Sequence, residues 1–498
     1  MTREQKQALI QRSEGMRSVK SSEGVHSVEK RGTALASAQG DRQFSKLPGS
    51  SYHIITFGCQ MNKSDSERIA GMLDALGAEP AHGREDADII IFMTCCVREA
   101  ADVRLFGQVA SLKNSGALVA VGGCIGQRDA GELIKRMPHI GVVFGTHNIA
   151  SLPALLEEAL QGTEPVVEVL SNEEAAQTAQ PSLAERVPQR REHAWHAWMP
   201  IMQGCDNHCS YCVVPRVRGS ERSQVFEDVV EEARQLVADG VREITLLGQN
   251  VNSYGRDLYG HPRFAELLYA LGEVGIERLR FATSHPKDLL PETIRAFAEI
   301  PACMPALHLP AQSGSDRILA SMNRRYTAEH YLSLVEQVRS ACDAADKKHV
   351  ALSTDIIVGY PGETGEDFEQ TMVLARAVGF AQAFTFIYSR REGTPAALLT
   401  DDTPHEVVQD RFDRLVELVQ TSAWQFNQHY LDTEVPVLFE GTSKRDVQML
   451  TGRNPGNQTV HVPLPEGRSA SDFAGRILPV RITEAKTWYL RGTLSVLS

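Results

Sequence analysis

Residues 199–212 read Met199-Pro200-Ile201-Met202-Gln203-Gly204-Cys205-Asp206-Asn207-His208-Cys209-Ser210-Tyr211-Cys212. A short apolar run stops at a glycine, and three cysteines follow with three and then two residues between them. The next helix is written in Phe226, Val229, Val230, Ala233, Leu236 and Val237, which recur at helical spacing. Strand, cysteine loop and covering helix make the first unit of a βα domain. Further strand-like runs at 244–247, 279–282, 307–309, 352–358 and 384–388 leave room for helices between them. The repeat predicts a parallel, partial (β/α)6 barrel over residues 194–428, with function at the carboxyl ends of its strands.

Upstream the same pattern recurs. Apolar runs at 53–57, 89–92 and 117–121 end at Gly58-Cys59, Thr94-Cys95-Cys96 and Gly122-Gly123-Cys124. In an open parallel sheet the loops after the strands share one edge, so Cys59, Cys95 and Cys124 are expected to converge despite their wide separation. An N-terminal open parallel α/β domain is therefore predicted over 51–168. Residues 169–193 turn to Glu, Gln, Ala, Pro and Arg without a sustained apolar period and read as a linker. From 429 to 498 the pattern changes to short runs such as Val435-Pro436-Val437-Leu438-Phe439 between Gly- and Asn-bearing turns, which predicts a small all-β barrel. The whole is an α/β protein with an all-β appendix.

The composition, 42% hydrophobic and 23% charged over 498 residues, is that of a multidomain globular chain, and no apolar run approaches the length of a membrane span. A net charge of −12 argues against non-specific coating of nucleic acid, which needs surplus Lys and Arg. From Glu434 onward the chain is locally basic, with eight Lys or Arg against six Asp or Glu, and RNA binding is plausible there. Residues 1–50 are polar, nearly free of aromatic and β-branched residues, and read as a disordered tail. They lack the apolar core of a secretory signal, so a reducing cytoplasm is expected, where nine cysteines do not form disulfides.

Three thiolates in one short loop are the ligand set of a four-iron cube with one iron left open to substrate. The competing reading is a zinc site completed by His208. A zinc knuckle, however, has no reason to follow a buried strand at the mouth of a βα domain. The Cys-x3-Cys-x2-Cys loop resembles that of the radical S-adenosylmethionine enzymes, which implies cluster ligands Cys205, Cys209 and Cys212. The segment Val358-Gly359-Tyr360-Pro361-Gly362-Glu363 resembles the glycine–proline strand end that lies near the adenine in that family, which implies cofactor contacts at Gly359, Pro361 and Gly362.

The likeness then narrows. Gly58-Cys59-Gln60-Met61-Asn62, Thr94-Cys95 with Val97-Arg98-Glu99, Gly123-Cys124, Gln203-Gly204-Cys205-Asp206-Asn207, Leu247-Gly248-Gln249-Asn250-Val251-Asn252-Ser253-Tyr254, Thr283-Ser284-His285-Pro286-Lys287-Asp288 and Leu307-His308-Leu309-Pro310 are all similar to the isopentenyladenosine tRNA methylthiotransferases. This family resemblance implies two 4Fe-4S clusters, the second on Cys59, Cys95 and Cys124, together with S-adenosyl-L-methionine. It implies radical abstraction of the hydrogen at C2 of N6-isopentenyladenosine, position 37 of tRNA, and insertion there of a methylated sulfur held by the second cluster. An electron donor of flavodoxin or ferredoxin type, a sulfur donor, no membrane and a monomeric enzyme belong to the same expectation. A small RNA-binding barrel of TRAM type is implied at the C-terminus.

Three positions depart from the family pattern: Met93 for the usual Asn, an additional thiol at Cys96, and Tyr360 for the common Phe. Cys95 holds the aligned place and Cys96 is expected to face the start of the next helix, with an exchange of ligand between the two as the alternative. Cys303 and Cys342 match no motif and read as small buried hydrophobes. Gln249, Ser284, His308, Gln312 and Arg324 sit at or just beyond strand ends, as candidates for the cofactor's carboxylate, its ribose or the target base. Arg216, Arg218 and Arg222 are candidates for tRNA phosphates. The nearest alternatives are methylthiotransferases acting on threonylcarbamoyl-adenosine tRNA or on a ribosomal protein aspartate, and a non-catalytic metal-binding RNA protein.

Overall fold

The computed structural model describes residues 44–96, 99–177, 189–401 and 403–495. Six strands open the chain: β1 (Ser51–Thr56), β2 (Glu79–Pro80), β3 (Ile89–Thr94), β4 (Leu118–Gly123), β5 (Ile140–Phe144) and β6 (Val166–Glu168). They form one parallel sheet in the order β2-β1-β3-β4-β5-β6. Central β3, Ile-Ile-Ile-Phe-Met-Thr, is buried at every position because helices cover both faces. Gly122 lies where a Cβ would stand 2.0 Å from the Phe144 ring, so only glycine lets β4 and β5 approach.

The expected tail is corrected at its end. Leu47 is fully buried, and Glu157 on the helix Leu152–Gln161 accepts the amides of Ser45, Lys46 and Leu47 at 2.8 to 3.0 Å. Residues 44–50 therefore pack as part of the first domain; residues 1–43 lie outside the described residues. Of the expected linker, residues 178–188 lie outside the described residues, and the remainder is partly structured. It carries the helix Asn172–Gln177, and the Arg190 amide donates to the Glu67 carbonyl at 3.0 Å.

Two three-stranded parallel sheets follow. One is β11 (Arg278–Phe281), β10 (Glu243–Leu247) and β7 (His196–Pro200); the other is β12 (Ala306–His308), β13 (Ala351–Val358) and β14 (Gln382–Ile387). A single bridge, Leu279 to Cys303, joins them. Past that bridge the Ala306 amide turns back to the Met304 carbonyl at 2.7 Å instead of continuing the ladder, so six strands pair as three plus three. The result is the partial barrel predicted from the βα repeat, with Cys303 and Cys342 fully buried in its core. The little antiparallel pair β8 (Met202–Gln203) and β9 (Arg222–Ser223) ties off the cysteine loop at its base.

The last strands, β15 (Glu434–Thr442), β16 (Met449–Arg453), β17 (Thr459–Pro463), β18 (Ile477–Ala485) and β19 (Leu490–Leu494), close a barrel in the order β15-β16-β17-β19-β18. Bulges after Phe439 and Ile482 turn its corners, and alternate Val, Ile and Leu fill it. Buried Arg278 and Arg280 of β11 dock it, donating to the carbonyls of Pro436, Arg453, Asn454 and Pro455. Among the described residues no helix is long and apolar enough to cross a membrane.

Candidate active site

The first thiol set sits where the sequence placed it, on the carboxyl edge of the first sheet. Gly58 (φ +101) brings Cys59 against Cys95: a Cβ on this glycine would lie 2.1 Å from the Cys95 Cβ. Cys59 is exposed, whereas Cys95 and Cys124 are buried. The Cys59 thiol is drawn down to about 6, mainly by its hydrogen bond with Cys95 and also by the Arg218 charge, against the effect of burial. Cys124 is drawn down to about 7 by its hydrogen bond with Cys96 and by Arg218. Cys96 shares its core with Leu105 and Val109 of the following helix, Glu99–Ser111, and reaches Cys124 as well. It is fully buried in one core with Cys124, and that contact holds its thiol well above the usual range.

The second set occupies the loop after β8. Gly204 (φ +76) starts it, and a Cβ there would meet the Ser220 carbonyl at 1.9 Å, so the loop hugs its own return strand. Burial pushes Cys205 up to about 11 and Cys212 up to about 12, while Cys209 is covered by Arg324, whose Nη1 lies 3.5 Å from its sulfur. Thiols so placed ionise only against a strong counter-charge, as iron provides. Among the described residues no three His, Cys, Asp or Glu side chains meet at one single-ion site; a cube instead gives each thiolate an iron of its own.

Loops from several strand ends grip this second loop. Lys287 Nζ donates to Asn207 Oδ1 at 2.7 Å, Asn323 Nδ2 to the His208 carbonyl at 2.6 Å, and Tyr360 OH meets Ser210 Oγ at 2.8 Å. The last contact gives the departure at Tyr360 a role that phenylalanine could not fill. Beside the loop, Gln249 Oε1, Ser284 Oγ, Asn250 Oδ1 and Asn252 Nδ2 are buried without a hydrogen-bond partner in the protein. Such groups call for an explanation, and a polar ligand at the strand ends supplies it. Asn250 and Asn252 were not singled out from the sequence, although two asparagines directly after a buried strand are an unusual pairing. Thr283 (φ +64) and Gln312 (φ +67) hold left-handed backbone at the same edge, a strain typical of functional loops.

The other candidates are differently engaged. His308 is held by Ser353 Oγ at 3.0 Å and Asp355 Oδ2 at 3.5 Å. Gln312 bridges to Ile356 through its backbone. Arg324 also donates to the Pro310 carbonyl and to Tyr326 OH, so it braces Cys209 and the strand end together. Gly359 (φ +71) offers its amide to Glu363, and a Cβ there would lie 2.5 Å from Val408; with Pro361 and Gly362 it forms a tight turn held by Glu363 and Arg411. Of the three expected phosphate contacts, Arg216 is exposed, and Arg222 donates to the Ala175 carbonyl at 2.6 Å. Arg218 is buried and paired with Asp65 at 3.0 Å, which removes it from any phosphate.

Three family models match in succession: Uncharacterized protein family UPF0004 over residues 51–145, the Radical SAM superfamily over 199–375 and the TRAM domain over 428–495. The tRNA-2-methylthio-N(6)-dimethylallyladenosine synthase of Carboxydothermus hydrogenoformans is 45% identical over 89% of this chain and 99% of its own length. The chain belongs to that synthase family. Its counterpart in Streptomyces viridosporus is 44% identical over 90% of this chain and 88% of its own. Among solved structures, the radical S-adenosylmethionine methyltransferase TsrM of Kitasatospora setae is a distant likeness, with TM-score 0.49 and 14% identity over 70% of this chain and 74% of that one. For a synthase of this family, the radical SAM match implies S-adenosylmethionine and a 4Fe-4S cluster. The orphaned polar atoms and the three-thiol loop fit both groups.

Proposed function

We propose that this chain is a radical S-adenosylmethionine methylthiotransferase that converts N6-isopentenyladenosine at position 37 of tRNA to its 2-methylthio derivative. One observation carries the reading: the helix that leaves one thiol set packs into the core beside the other. The helix Val214–Arg218, which leaves the loop at Cys212, inserts into the first domain, where Val213 and Val217 share a core with Cys96 and Cys124. A reaction that joins sulfur from one site to carbon activated at another needs that proximity.

Cys205, Cys209 and Cys212 would hold the cluster that pairs with S-adenosylmethionine, and Cys59, Cys95 and Cys124 a second cluster. When bound, these groups supply the radical, sulfur and methyl chemistry that an unactivated C–H bond requires and that Asp, His or Lys cannot. The chain's own residues bind, orient and exclude water. Gln249, Ser284, Asn250 and Asn252 offer buried polar atoms to the cofactor, and Gly359, Pro361 and Gly362 shape the strand end near its adenine. His308, Gln312 and Arg324 hold that rim in place. The barrel of β15 to β19 supplies an RNA-binding surface, while external electron and sulfur donors, a cytoplasmic setting and a monomeric state complete the proposal. The target base must leave its stack to reach so recessed a site.

Mass spectrometry of tRNA nucleosides from a deletion strain tests this. Loss of the methylthio group from isopentenyladenosine, restored by the intact gene, is expected. An unchanged profile, or loss confined to threonylcarbamoyl-adenosine, would refute the assignment.

A further inference from the structure

Arg218 is 5% exposed, yet it carries a full charge across the boundary between the two thiol sites. It ends the helix that leaves Cys212, and its Nη2 donates to Asn62 Oδ1 at 2.9 Å and Asp65 Oδ2 at 3.0 Å. Asn62, itself fully buried, passes the restraint on: its Nδ2 donates to the carbonyls of Phe57 at 2.7 Å and Thr94 at 2.8 Å. Those two carbonyls belong to the strand ends that carry Cys59 and Cys95. One guanidinium thus orients the amide that fixes two of the three thiols.

A buried arginine is costly unless it is paired, and Asp65 supplies one partner. The guanidinium has five donors in a rigid fork, so it can serve the carboxylate and the amide and still face sulfur. Charge and hydrogen bonds near the sulfurs set how strongly a cluster holds an added electron.

We propose that Arg218 is a positioning residue of the N-terminal thiol site. Its buried fork holds Cys59, Cys95 and Cys124 in the arrangement and charge balance of a cluster site, in fixed register with the loop of Cys205, Cys209 and Cys212. The proposal rests on the reading that the N-terminal thiols hold a cluster.

The test uses the full chain carrying Cys205→Ala, Cys209→Ala and Cys212→Ala, reconstituted without oxygen, so that only the N-terminal site binds iron. About four irons per chain are expected, one cube's worth; none at all would overturn the cluster reading itself. Adding Arg218→Gln is then expected to shift the cluster potential to more negative values and to cost at least about half of the iron on gel filtration, with Arg218→Lys recovering part of both. The dissociation constant for tRNA should change by less than about twofold, since a buried arginine makes no phosphate contact. Unchanged iron and potential in the Gln variant would overturn the proposal, as would intact iron with tRNA affinity weakened about tenfold, which would return Arg218 to the RNA. Should the Gln variant fail to fold, Arg218→Lys decides: a smaller shift in the same direction supports the fork, and wild-type iron and potential refute it.

Discussion

At the scale of single residues, several groups do work that their sequence neighbourhood conceals. Glu157 lies in an ordinary amphipathic helix, yet its carboxylate gathers the amides of residues 45 to 47 and the Ser45 hydroxyl. Burial raises its carboxyl, but these donors outweigh that and hold it down to about 2 from 4.5. A depressed acid stabilises the fold above its unfolded value and loses that contribution as pH falls. Docking of residues 44–50 should therefore weaken between about pH 4.5 and about pH 2. Glu157→Gln should cost about 1.5–3 kcal/mol in urea unfolding at neutral pH and flatten the acid limb. A variant as stable as wild type, with the same acid limb, would contradict this account of the clamp.

Elements show the same division between local and distant causes. Arg278 and Arg280 alternate along β11, which reads as an ordinary strand with two charges; neither residue announces that it faces another domain. Both are buried, Arg280 Nε meets Glu243 Oε2 at 2.9 Å, and between them they donate to four backbone carbonyls of the last domain. Arg280→Ala would leave Glu243 with Arg278 at 4.0 Å and orphan two carbonyls, at about 3–5 kcal/mol, and limited proteolysis should then release the C-terminal barrel early. Unaltered cleavage kinetics would show that the barrel is held by other means. What was legible in the sequence follows from this contrast. The runs at 89–92, 117–121 and 244–247 announced strands because complete burial demands unbroken apolar residues, and the cysteine loop announced itself by spacing. The two-residue strands β2, β8 and β9 and the contact of Cys96 with Cys124 were not legible, since each is decided by partners far away in the chain. The basic trio 216, 218 and 222 was misread at Arg218 for the same reason: charge is visible in a sequence, and burial beside Asp65 is not.

For the whole molecule, the unusual feature is that the helix beginning just after one three-thiol loop packs into the core of the domain that carries the other set. The net charge of −12 fits a protein that meets RNA locally. Here the C-terminal barrel and the strand-end rim would make that contact, while the acidic remainder discourages indiscriminate binding. The central claim is that each thiol set holds its own four-iron cluster. Iron and sulfide analysis after anaerobic reconstitution tests it most directly, on the wild type, on the variant with alanine at 59, 95 and 124, and on the variant with alanine at 205, 209 and 212. About eight irons per wild-type chain, falling to about four in each variant, is the predicted result. About four in the wild type, undiminished when 59, 95 and 124 are replaced, would contradict it.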